Sequence, residues 1–491
     1  MYEYGKELSI RSNSKNRIIF AVKIISNMLT FFPKFFTNRA ILCYLLTLII
    51  ASLMFINYAM PFQFMLFGLV AVFLFFFYTN KLSLGWRRLP PRRFVKNLFI
   101  TALIIRIIYV IYIYFYYIKM TGRPNMYYPG DELMYEYFGS VFAINGIDAF
   151  RQQMKVISLS DSGYCWWTGI VYSVFGVHVL SDRIVKCFVD AFACVLMYNL
   201  GKRNFGEFTG RMAAIFYMMM PNMWYYCGLS LKETIMVFLV ILFVERGDLV
   251  MHSRKVLIKD LLLPALIILV VFTFRTALAA VLFAALIAAL ILSSGKQLEP
   301  WKKFLYGSIF AVWMFMTVGV EIIQETQELW EGRTDNQSVG YEWRSETNSF
   351  AQYASAAVFA PAIFTIPFST LIHVAGQENQ MMLNGANFIK NIMSGFTIFA
   401  MFSLLFSGEW RKHVLPIALT CGYLVVLVFS NFAHSERFHF PVLGLELLFA
   451  AYGVSLVKNK QKRWYTLWVI GISLANIAWA YIKLAGRGLS V

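Results

Sequence analysis

Long apolar runs broken by short charged segments set the pattern of this chain. "ILCYLLTLIIASLMFINYA" opens it at residue 41, and "PALIILVVFTF" leads into "LAAVLFAALIAALILSS" at 264–294. Runs of this length cross a hydrocarbon core of roughly 30 Å as helices. They lack the short alternating segments of a transmembrane barrel. The pattern predicts spans at 41–57, 61–79, 98–118, 181–200, 208–225, 229–245, 258–275, 277–294, 304–320, 389–407, 414–431, 439–455 and 464–484. The expected fold is therefore an all-α polytopic membrane protein with about thirteen transmembrane helices. Two further apolar stretches, 163–178 and 356–372, are short or broken by proline and follow polar loops; they read as re-entrant or interfacial.

Charge orders these spans. Lys and Arg concentrate in the arm 1–40, in "KLSLGWRRLPPRRFVK" (81–96), and at 201–203, 252–255, 295–303, 409–413 and 458–463. With 163–178 and 356–372 left non-spanning, all seven basic segments fall on one side, the cytoplasmic one by the positive-inside rule. The N-terminus is then cytoplasmic, the C-terminus extracytoplasmic, and the location a plasma or inner membrane. Two polar loops face outward, 119–162 and 321–355, each expected to carry interfacial helices. Five regions follow. They are an amphipathic basic arm (1–40), two N-terminal spans with their basic loop (41–97), a central membrane module (98–320), an outer loop with its re-entrant or interfacial segment (321–388), and the C-terminal spans (389–491).

Composition sharpens this only slightly. The chain of 491 residues is 59% hydrophobic and 14% charged, with net charge +18. Basic residues lie between spans, so the surplus points to anionic lipid heads and not to nucleic acid. The six cysteines sit mostly inside apolar runs, with neither metal spacing nor a disulfide framework. No Asp-x-Asp and no phosphate-binding G-x-x-x-x-G-K-[ST] occurs, which argues against a cytosolic nucleotide-sugar or ATP.

The candidate chemistry gathers on the outer side. In "YYPGDELMYEYFGS" (127–140), a Pro-Gly turn leads into Asp131 and Glu132, with Tyr135 a turn later. Asp131 reads as the cap of an interfacial helix, as a general base beside a membrane cavity, or, with Glu132, as a divalent-cation ligand. Lys232 and Glu233 in "GLSLKETIM" read as a surface ion pair or an anchor of that span, or Lys232 as a lipid-phosphate contact, and Arg275 in "FTFRTAL" as an interfacial anchor or a phosphate ligand. "NFAHSERFHFP" places His434, Glu436, Arg437 and His439 within six residues, costly at a membrane surface unless they face water or a ligand. Arg437 suits a phosphate clamp because its guanidinium forks onto phosphate oxygens. In 321–355, Trp330, Trp343 and Arg344 among acids offer a sugar-binding face or a solvated lid. Arg106, inside a span, reads as a snorkelling or packing residue.

A span with an arginine (Arg106) followed by an outer loop with "GDELMYEY" resembles the start of GT-C superfamily glycosyltransferases. The run from "GYCWWTGIVYSVFG" to "GLSLKETIMVFLVIL", and "HSERFHFPVLGLELLFAAYG", resemble later segments of the same pattern, over roughly 98–245 and 430–455. The kinship is to enzymes of the protein-mannosyltransferase and aminoarabinose-transferase kind; the two spans before Arg106 are additions to it. The resemblance implies a GT-C-like helical bundle, a polyprenyl-phosphate-linked sugar as donor, and a glycan, lipid or protein acceptor on the outer face. It also implies Asp131 as base with Glu132 beside it; the phosphate contacts expected from the residues themselves are Arg437, Lys232, Arg275 and His434. Tyr135, Glu233, Glu436, His439, Trp330, Trp343 and Arg344 are the expected substrate contacts. No cofactor is assigned, with a divalent cation at Asp131 and Glu132 left open. An O-antigen or exopolysaccharide polymerase or ligase, or a lipid or polysaccharide transporter, is the alternative.

Overall fold

The computed structural model describes residues 29–153, 158–252, 258–293, 308, 361–428, 434–458 and 462–487. The described residues form helices and no strands, apart from one isolated antiparallel bridge between Ala59 and Ile372. In chain order the helices are α1 (Lys34–Met54), α2 (Phe62–Trp86), α3 (Pro91–Thr121), α4 (Gly130–Gln153), α5 (Leu159–Phe175), α6 (Val179–Phe205), α7 (Glu207–Met219), α8 (Pro221–Cys227), α9 (Glu233–His252), α10 (Ile258–Phe272), α11 (Thr276–Leu292), α12 (Glu378–Met382), α13 (Asn384–Ser407), α14 (Val414–Val428), α15 (Glu436–Leu456) and α16 (Lys462–Ala485). Seven of these, α1, α2, α3, α6, α13, α15 and α16, are long and apolar enough to cross a membrane, and α11 and α14 are shorter apolar helices. The expected span at 304–320 and the loop 321–355 lie outside the described residues.

Local chemistry sets the ends. Proline at the first position starts α3, where its missing N–H costs nothing, and Gly122 closes it with a left-handed φ of 74°. The expected span 208–225 divides at Pro221, which cannot donate within a continuing helix, into α7 and α8. The helix expected from residue 229 starts at Glu233, because 228–232 forms a turn. The stretch 163–178 is helical as far as Phe175, as part of α5, which packs against α4. The described part of 356–372 is almost free of helix and is tied down by side chains. Asn391 donates to the carbonyl of Pro367, Lys390 to that of Ile366, and Ser369 N–H donates to Asn476. Irregular backbone is tolerated at membrane depth where protein satisfies it in this way.

The helix α15 is the centre of the bundle. Its most apolar stretch is 89% buried, against 28% for α3 and 33% for α2, whose outer faces carry exposed apolar side chains. It packs against α7, α9, α13 and α14. Ionised groups also lie in the interior. Arg106 does not snorkel; it is fully buried and pairs with Asp190, which also accepts from Tyr217. Lys186 pairs with Asp182 at 2.9 Å. Charges this deep persist only when paired.

The side-chain contacts sort the connections into two ends. Arg211 donates to the carbonyls of Trp86 and Leu89, Arg203 pairs with Asp248 at 2.5 Å, and His413 meets Asn204 at 2.7 Å. The basic segments 81–96, 201–203 and 409–413 thus share one end. Segments 125–135, 158–164, 228–233, 273–275, 377–383 and 434–439 share the other. There Gly163 N–H donates to the Thr273 carbonyl, and Asn379 to that of Tyr127.

Candidate functional site

The site is built at that second end, from the first turns of α4, α9 and α15. Pro129 and Gly130 start α4, and Asp131 and Glu132 occupy its first turn, where the helix dipole favours carboxylates. Successive helical residues point about 100° apart, so the two acids diverge. Glu132 turns inward and has no exposed surface. Its carboxylate accepts from Ser230 N–H at 2.6 Å, Met126 N–H at 2.8 Å and Arg183 at 3.3 Å. Asp131 turns outward, its side chain 47% exposed, and meets Arg437 Nη1 at 2.5 Å.

Arg437 belongs to the first turn of α15. Its Nε donates to Glu233, the first residue of α9, which is fully buried. Glu233 also faces Arg275 at 3.7 Å. Arg275 in turn donates to the Tyr423 hydroxyl at 3.1 Å and lies over the Phe438 ring, 4.5 Å from its centroid. Glu233 is therefore the shared anion of two guanidinium groups.

Beside this pair, Lys232 reaches Asp161 at 2.6 Å and the Ser160 carbonyl at 2.8 Å, and Tyr135 donates to the same carboxylate at 2.5 Å. Burial alone would raise the Asp161 carboxyl; Lys232 and the hydrogen bonds from Lys232, Tyr135 and Ser158 together bring it below the ordinary aspartate range. Burial draws the Lys232 ammonium down, opposed by Asp161. Three carboxylates (Asp131, Asp161, Glu233) and three cations (Lys232, Arg275, Arg437) thus interlock across α4, α5, α9, α15 and the α10–α11 turn. Asp161 is the member that the sequence reading passed over; its only local mark is the Ser158-x-x-Asp161 spacing of a helix start.

The other expected residues lie elsewhere or differently. His434 stacks on Trp479 of α16 with ring centroids 4.8 Å apart. His439 is buried and meets Lys390 of α13 at 2.9 Å. Glu436 is half-buried in the first turn of α15. Trp330, Trp343 and Arg344 lie outside the described residues. Among the described residues no group of three or more His, Cys, Asp or Glu is placed to hold a metal ion.

Residues 381–488 match the profile of the Alg9-like mannosyltransferase family, a GT-C superfamily group that uses polyprenyl-phosphate mannose. The matched stretch takes in Arg437 and helices α13–α16. No curated protein matches the chain. The profile match joins the all-helical, span-rich architecture, and on those grounds the chain is a membrane glycosyltransferase, similar over residues 381–488 to the Alg9-like mannosyltransferase family.

Proposed function

We propose that the enzyme transfers a sugar from a polyprenyl-phosphate-linked donor to a glycan, lipid or protein acceptor on the extracytoplasmic face, with inversion at the anomeric carbon. The carrying observation is the contact between Asp131 and Arg437, which sets an accessible carboxylate beside an arginine. The acceptor hydroxyl oxygen attacks the anomeric carbon from the side opposite the phosphate. The bond from that carbon to the phosphate oxygen breaks, and the acceptor proton passes to Asp131. The departing polyprenyl phosphate gains a negative charge, which Arg437 and Arg275 stabilise, with Lys232 nearby.

An apolar groove of about 690 Å³ between α2 and α3 supports a prenyl-chain donor. It is walled by Phe67, Leu74, Tyr112 and Tyr116 and floored by Trp224 and Tyr225. The adjoining Tyr226 packs on Phe440, three residues from Arg437, which brings the groove close to the charged cluster.

The test uses the purified full chain in nanodiscs, tritiated polyprenyl-phosphate mannose and a cell-envelope extract as acceptor source. Asp131→Asn is expected to fold normally and to lose transfer by at least a hundredfold. Full transfer by a folded Asp131→Asn would remove the base assignment. If Arg437→Ala and changes in 321–355 abolished product while Asp131→Asn kept it, the polymerase or ligase reading would take its place.

A further inference from the structure

Arg437 has two acidic partners of opposite character. Glu233 is fully buried at the start of α9 and also serves Arg275. Asp131 is about half exposed, and among the described residues its carboxylate forms an ion pair with Arg437. A ligand phosphate entering from the open side can compete for the guanidinium edge that faces Asp131. It cannot reach the Nε edge, which Glu233 covers from inside. Exposed ion pairs are weak and exchange readily, whereas breaking a buried one is costly.

We infer that Glu233 is a positioning residue, the fixed anchor on which Arg437 exchanges Asp131 for the donor phosphate, so that donor binding itself frees the base. The inference rests on the proposed function, since it concerns the same phosphate and the same base. In the empty site the Asp131 carboxylate is engaged by Arg437. When the phosphate takes the Nη1 edge, Asp131 is released toward the acceptor hydroxyl, while Glu233 keeps the guanidinium oriented. Arg275 is held by the same carboxylate, by Tyr423 and by the Phe438 ring, and forms the second, less mobile arm.

This arrangement makes a prediction that simple charge counting does not. Removing either acid deletes one negative charge near the phosphate, and on charge alone both changes would tighten phosphate binding. With an exchangeable Asp131 and an anchoring Glu233, the signs differ. Asp131→Asn removes a competitor and tightens binding. Arg437 Nε and Arg275 Nη2 both face the same Glu233 oxygen, Oε1, so Glu233→Gln leaves a single neutral amide oxygen, without the carboxylate charge, between two guanidinium groups. Arg437 then loses its orientation and binding weakens.

The measurement is the affinity of the full chain in nanodiscs for citronellyl phosphate, by calorimetry, for wild type, Asp131→Asn, Glu233→Gln and Glu233→Asp. A severalfold tightening is expected for Asp131→Asn, roughly tenfold weakening for Glu233→Gln, and partial recovery for Glu233→Asp. Tightening in both acid variants, weakening in both, or no change in Asp131→Asn each overturns the inference. Should Glu233→Gln fail to fold, the sign of the Asp131→Asn change decides alone. Absence of binding to wild type would instead overturn the donor assignment on which the inference stands.

Discussion

Asp131 and Glu132 are neighbours of like charge, and the structure assigns them opposite sensitivities. Glu132→Ala removes a buried carboxylate that accepts two backbone N–H groups, at 2.6 and 2.8 Å, and faces Arg183 at 3.3 Å. Each orphaned buried donor costs about 1–3 kcal/mol. Leaving Arg183 buried without its carboxylate belongs with broken buried pairs, at about 3–5 kcal/mol. These terms overlap, because Ser230 contacts Arg183 as well, so a total of about 4–6 kcal/mol is expected. Asp131→Ala breaks one half-exposed pair, worth less than about 1 kcal/mol. Thermal unfolding in detergent, followed by size-exclusion of the heated sample, separates the two. Glu132→Ala should melt many degrees lower and lose activity with its fold. Asp131→Ala should melt within a few degrees of wild type and yet be inactive. A Glu132→Ala protein as stable as wild type would refute the assignment of Glu132 to the frame, and an equal loss in both would refute the division itself.

Three other outcomes follow from the interior. Asp190→Ala strands Arg106 in the bundle and should cost about 3–5 kcal/mol; Arg106→Met, Asp190→Leu and Tyr217→Phe together should restore most of the melting temperature. Burial draws the His413 imidazole down to about 4 from an ordinary 6.5. The unfolded chain therefore takes up the proton first, so stability is full above pH 6.5 and falls by up to about 3 kcal/mol as pH drops toward 4. His413→Gln should flatten that part of a melting-temperature–pH curve. At the crossing of α2 and α13, a Cβ on Gly385 would stand 2.4 Å from the Gly68 carbonyl oxygen and 2.7 Å from Gly68 Cα. Gly385→Ala should cost at least about 1–3 kcal/mol, since backbone cannot yield as a side chain does, and a wild-type melting temperature would contradict the crossing.

The helices were legible because apolar runs of membrane length admit few other structures, and the gathering of the basic segments 81–96, 201–203 and 409–413 at one end follows the same pattern. The site was legible only in part. Asp131, Lys232, Glu233, Arg275 and Arg437 stood out as charges at the edges of apolar runs. Their pairing did not, because Arg437 lies 306 residues from Asp131 and 204 from Glu233, and no local pattern encodes such a contact. Within "GDEL" the sequence could not say which acid is buried. That is decided by α6, which brings Arg183, and by the 228–232 turn, which brings Ser230 N–H.

One signal was present and went unread. In "SDRIVKCFVD" the charges Asp182, Lys186 and Asp190 recur every four residues along an otherwise apolar run, with Arg183 one step round. That spacing places them on one stripe of α6. In a soluble helix such a stripe would mark the solvated face. In a span, the outside is hydrocarbon and the inside is protein, so the same stripe marks the buried face and announces partners of opposite sign. The structure supplies them: Asp190 meets Arg106 from α3, and Arg183 meets Glu132 from α4. Asp182 accepts from Tyr164 and Trp167 of α5 at 2.7 and 2.8 Å. Hence α6 is the keel that fixes α3, α4 and α5 against one another, and through Arg183 and Glu132 it sets the pitch at which Asp131 faces Arg437. The polar periodicity of a span thus carries information about the position of the loop bearing the proposed base that its hydrophobicity does not.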